Sequence, residues 1–121
     1  MFIEYLDKIQ KLIKQKDYDK AWEVANEALI KLSNSKDDMW FMMYYQMSDI
    51  LAREKRWFEA LEKMGFVIHY LRGFGGQSHI KYTTRLLKKF DKEEFLDEFE
   101  KLAINIKPKE FSKTLKDFLK E

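Results

Sequence analysis

The sequence predicts an all-α protein assembled from antiparallel helix hairpins. Three observations carry that reading. Helix breakers are scarce, with 4 glycines and 1 proline in 121 residues. Apolar residues return at steps of three and four through seven successive segments, the period of a helix with one buried face. No stretch sustains the alternation of a strand, and β-branched residues do not cluster.

The first segment, about residues 2–16, places Phe2, Tyr5, Leu6, Ile9, Leu12 and Ile13 on one stripe. Asp17 or Asp19 can cap a second helix with Ala21, Trp22, Ala25, Ala28, Leu29 and Leu32 on its apolar face. The polar stretch SNSKDD follows, and Asp37 or Asp38 can cap a third helix over about residues 39–54 that is apolar around most of its circumference. A fourth helix after REKRW carries Trp57, Leu61, Met64, Ile68 and Leu71. GFGGQS breaks the pattern with three glycines in six residues. A fifth helix, about residues 78–90, holds Tyr82, Leu86, Leu87 and Phe90, and a sixth holds Phe95, Phe99, Leu102, Ala103 and Ile106. Pro108 ends that segment and can open a seventh helix, 109–120, with Phe111, Leu115, Phe118 and Leu119.

The even-numbered helices repeat. YDKAWEVANEAL from Tyr18, WFEALEKMGFVI from Trp57 and FLDEFEKLAINI from Phe95 each open on an aromatic residue. A large apolar residue stands four places on, at Trp22, Leu61 and Phe99, and a glutamate follows it, at Glu23, Glu62 and Glu100. The intervals are 39 and 38 residues, the signature of stacked helix–turn–helix units.

This pattern resembles the tetratricopeptide repeat (TPR), in which an aromatic residue opens the second helix of each unit and alanines follow at close-packing positions. Tyr18, Ala21 and Ala28 match in the first unit, and Ser48, Trp57 and Ala60 in the second. Val67 replaces the second unit's later alanine, Ile9 replaces the small residue of the first helix, and Glu98 stands where the third unit's alanine belongs. The resemblance implies one TPR-like superhelical domain over residues 1–121. Its units would be about 2–34, 38–72 and 78–106, closed by a C-terminal capping helix, 109–120. It also implies a concave face lined by the first helix of each pair, with Leu6, Gln10 and Lys14 from helix 1 and Tyr45, Asp49 and Arg53 from helix 3. Such a face would hold a peptide or helix of a protein partner. The lysine–asparagine clamp of the family members that grip a C-terminal carboxylate has no counterpart, because Leu6 and Tyr45 stand where polar donors belong.

Composition narrows the function further. The 23 basic and 21 acidic residues leave a net charge of +2, a poor fit to a broadly basic nucleic-acid binder. No cysteine is present, which removes disulfides, cysteine zinc sites and thiol catalysis. The longest uncharged run, MWFMMYYQMS, is half of the about 20 residues that cross a bilayer. The acidic opening MFIEYLD lacks the pattern of a signal peptide, so the expected compartment is the cytoplasm and no membrane partner is expected.

Four local constellations remain. Four of the six methionines fall in residues 39–52, where Trp40, Phe41 and Tyr45 are the residues expected to be left for a partner or for homo-oligomerisation. No acid occurs between Glu62 and Asp91, and Lys81, Arg85, Lys88 and Lys89 form a candidate anion or nucleic-acid patch. The acids from Asp91 to Glu100 are placed to neutralise it, and nucleic acid is the weaker reading. GFGGQSH lacks the GK[ST] ending of a phosphate loop and follows a helix, so it reads as a helix C-cap. His69 and His79 have no metal-binding spacing, and no residue set suggests catalysis, a metal or a cofactor. A non-catalytic adaptor or assembly factor is the resulting expectation.

Overall fold

The computed structural model describes residues 1–120, and among them seven α-helices and no strand are found. They are α1 (Phe2–Lys14), α2 (Tyr18–Asn34), α3 (Met43–Arg53), α4 (Trp57–Leu71), α5 (Gln77–Lys88), α6 (Leu96–Asn105) and α7 (Pro108–Lys120). Two short 3-10 turns, Trp40–Met42 and Glu93–Phe95, lead into α3 and α6. The expected third helix therefore starts four residues late.

The first two hairpins close in the same way. After α1, Lys16 takes φ 59° and the Asp17 N–H donates to the Leu12 carbonyl at 3.0 Å. After α3, Lys55 takes φ 62° and the Arg56 N–H donates to the Leu51 carbonyl at 2.9 Å. Both are left-handed C-terminal closures that satisfy carbonyls the helix leaves open. Asp17 and Arg56 then share nearly one backbone conformation, φ −91° and ψ 72° against φ −92° and ψ 73°. Only Asp17 adds a side-chain cap, accepting from the Lys20 N–H at 3.3 Å.

The third hairpin begins alike and then departs. Asp91 takes φ 57° and the Lys92 N–H donates to the Leu87 carbonyl at 3.0 Å, but the turn Glu93–Phe95 intervenes before α6. Helix α6 consequently lies mainly on α4 and touches α5 over a short stretch. Burial shows the register. Ala21, Ala60 and Phe99 are fully buried at intervals of 39 residues, and Ala25, Met64 and Ala103 are buried at the same interval. Glu98 is exposed, so the position aligned with Ala60 by sequence is displaced by one residue. A phenyl ring where the first two units carry a methyl group is incompatible with the same close helix approach.

Two clusters of buried side chains fill the interior. Ile9, Ile13, Ala25, Leu32, Met47 and Ile50 belong to the first; Leu61, Met64, Ile68, Leu87, Phe99 and Leu115 belong to the second. Trp22 and Tyr44 pack against both. Helix α7 docks through Phe111 and Leu115, and the Phe111 ring lies where any side chain at Gly65 would collide with it. The small residue on α4 is thus a seat for the last helix.

Candidate functional site

Helices α3 and α5 flank a solvent-open groove. One part, about 400 Å³, is lined by Asp49, Ala52, Arg53, Trp57, Tyr82, Arg85, Leu86 and Lys89. A second, about 680 Å³, is lined by Tyr45, Ser78, Ile80, Lys81, Thr84 and Arg85. Arg85 belongs to both. Three of the predicted partner-binding residues and three of the predicted basic residues therefore share one surface. Lys88 joins Arg85 and Lys89 around another hollow of about 400 Å³. Leu6 is half-buried, Gln10 and Lys14 are exposed on α1, and none of the three lines these concavities.

The floor is rigid and aromatic. Ser48 is fully buried; its hydroxyl donates to the Ala60 carbonyl at 2.7 Å and meets the Tyr82 hydroxyl at 2.8 Å. With the Ser48 proton committed to Ala60, Tyr82 is the donor in the second bond. This bridge fixes α3, α4 and α5 together at the groove. Tyr45 lies against the Tyr82 ring, with centroids 5.3 Å apart, and against His79 at 5.0 Å. Burial raises the hydroxyl pKa of both Tyr82 and Tyr45, so both stay protonated donors. Burial lowers the pKa of His79, and its Nδ1 accepts the Gly75 N–H at 3.0 Å, which fits the neutral ring.

The walls carry the charge. The Arg53 Nε donates to Asp49 Oδ1 at 3.2 Å, closing an ion pair within α3. On the α5 side, the Lys89 ammonium sits over the Trp57 ring at 4.5 Å and the Arg85 guanidinium over Tyr82 at 5.7 Å. Among the described residues no carboxylate is ion-paired with Lys81, Arg85, Lys88 or Lys89. No carboxylate of residues 91–100 forms an ion pair with them, although the turn Glu93–Phe95 packs against α5.

The methionine and aromatic segment is mostly interior. Met43 and Met47 are buried, and Phe41 is 8% exposed with its ring stacked 5.9 Å from Tyr70. Phe41 is therefore not available to a partner, contrary to expectation. Trp40 is half-buried against Tyr70 at 4.8 Å, and Met39 and Tyr70 are the exposed members of the cluster. The glycine loop is tied down: the Phe74 N–H donates to Glu100 Oε2 at 3.2 Å, so a carboxylate already occupies that amide. His69 Nδ1 lies 3.0 Å from the Ala103 carbonyl, 34 positions on in sequence, and no cluster able to hold a metal occurs among the described residues.

Sequence reasoning missed Ala52, Trp57, Tyr82 and Leu86 as groove residues. The signal was present: Lys81, Arg85 and Lys89 stand four apart, so one face of α5 had to carry all three beside Tyr82. No helix of the described residues is long and apolar enough to cross a membrane. Compared with family models, curated proteins and solved structures, the chain matches none of them.

Proposed function

We propose that the protein is a TPR-like, non-catalytic interaction module, an adaptor or assembly factor that holds a peptide or helix of a protein partner. The observation that carries this reading is the groove itself: Tyr45 and the Asp49–Arg53 pair on α3 face Lys81 and Arg85 on α5, and Lys89 just past its end, across an open, partly apolar floor. Grooves between helices bind amphipathic segments through apolar anchors, with charges at the rim selecting partner and orientation. The bonded Ser48–Tyr82 bridge supports the reading because it holds the floor in shape before a partner arrives. Affinity capture from the native cell followed by mass spectrometry tests it. The doubly substituted Tyr45→Ala/Arg53→Ala chain is expected to lose the proteins that the wild type retains, with an unchanged circular-dichroism spectrum. Retention of the same proteins overturns the groove assignment.

One observation favours a second reading, a nucleic-acid-associated protein. The four cations of α5 lack ion partners among the described residues, and Trp57 and Tyr82 lie beneath two of them. Binding of that kind weakens steeply with salt. A titration of a short single-stranded RNA from low to moderate salt decides it, and absence of binding at low salt removes it.

A further inference from the structure

The chain carries two exposed charged stripes of opposite sign that form no ion pair with each other. On α5, Lys81, Arg85 and Lys88 follow at steps of four and three, with Lys89 beside them, and all four are exposed. In the turn before α6 and in its first turn, Glu94, Asp97 and Glu98 follow at steps of three and one, and all are exposed as well. The four ion pairs of the described residues involve none of these side chains. The net charge of +2 therefore conceals a molecule with a basic face and an acidic face. An apolar side chain stands in the acidic segment: Phe95, next to Glu94, is 42% exposed, with the Lys92 ammonium 5.0 Å from its ring centroid. The basic groove is partly apolar between its cations, lined by Ala52 and by Trp57 beneath the Lys89 ammonium, with Leu86 buried below them.

We infer that a second copy of this chain docks head to tail, with its acidic segment 94–98, the turn before α6 and the first turn of α6, entering the basic groove between α3 and α5. Phe95 of one copy would meet the apolar part of the next copy's groove, with Glu94, Asp97 and Glu98 facing Arg85, Lys88 and Lys89. The two surfaces are different patches, so the contact is heterologous and either propagates or closes into a ring. It goes beyond the partner-binding reading: the same groove is covered in the assembly, and a partner segment competes with the neighbouring copy for it. Opposite charges at the surface are screened over about 10 Å at 0.1 M salt and about 30 Å at 0.01 M, so the assembly is salt-sensitive.

Sedimentation velocity of the full chain tests this. At low ionic strength the wild type is expected to form concentration-dependent oligomers that revert to monomer at high ionic strength. Lys88→Gln/Lys89→Gln and Glu94→Gln/Glu98→Gln change only exposed side chains, and each variant alone is expected to be monomeric with a wild-type circular-dichroism spectrum. An equimolar mixture retains one intact face from each and is expected to give a dimer and nothing larger. A wild type that stays monomeric at low ionic strength overturns the inference. So does an assembly that survives both variants, as one formed through Trp40 and Tyr70 would, or a mixture that remains monomeric.

Discussion

The first two hairpins and the third begin from one plan and end differently. α1–α2 and α3–α4 turn through a left-handed lysine, resume at matching dihedral angles and bury alanine at the same helical position. In the third, a 3-10 turn precedes α6 and Phe99 stands at that position. The consequence reaches the surface. Helix α6 lies on α4, and among the described residues no carboxylate of 91–100 pairs with Lys81, Arg85, Lys88 or Lys89, so the α3/α5 groove keeps unpaired cations. Two alike hairpins, α1–α2 and α3–α4, contrast with α5 and α6, which touch only over a short stretch, and the candidate groove lies where α5 meets α3.

That contrast can be tested where the units differ most. Phe99→Ala removes the fully buried ring that sets the third unit apart, a ring within 6.2 Å of Phe111 and 6.1 Å of Phe118. A loss of about 3–5 kcal/mol is expected in urea unfolding. Ala60→Val, at the equivalent position of the second unit, adds volume to a tight contact and is expected to cost about 1–3 kcal/mol. Ser48→Ala leaves the buried Tyr82 hydroxyl without its partner, for about 1–3 kcal/mol, and loosens the groove floor. Asp17→Ala is expected to cost about 1 kcal/mol through the lost cap. Arg56→Ala, at the twin position, removes only an exposed pair with Glu59 worth about 0–1 kcal/mol.

The smallest expected effect is a pH dependence at the groove's edge. Burial lowers the pKa of His79, so the unfolded chain takes up a proton more readily than the folded one. Its contribution to stability is complete above about pH 6.5 and declines as pH falls below that value. His79→Gln is expected to flatten that decline in unfolding curves recorded from neutral to mildly acidic pH.

Much of the helical order was legible because apolar spacing encodes it directly. Ile9, Leu12 and Ile13, and then Ala21, Ala25, Ala28 and Leu32, all fall on the stripes read from sequence and are all buried. The third unit was less legible. Phe95 and Phe99 are both aromatic and four apart, so the period alone could not say which of them enters the core, and the 3-10 turn that decides it has no strong composition signal. Phe41 was misread because an aromatic run gives no indication of which rings another helix covers; Tyr70, on α4, covers this one. The groove was half legible. Tyr45, Asp49 and Arg53 came from the resemblance and the α5 cations from charge, but their meeting across one groove depends on how α3 and α5 pack, which no local pattern specifies.

Amide chemical shifts during titration with a captured partner test the central claim most directly. The account predicts that the largest changes fall on Tyr45, Asp49 and Arg53 of α3 and on Lys81, Arg85 and Lys89 of α5, with α2 and α7 unmoved. Changes concentrated on the outer faces of α2, α6 or α7, with those six residues silent, would contradict it.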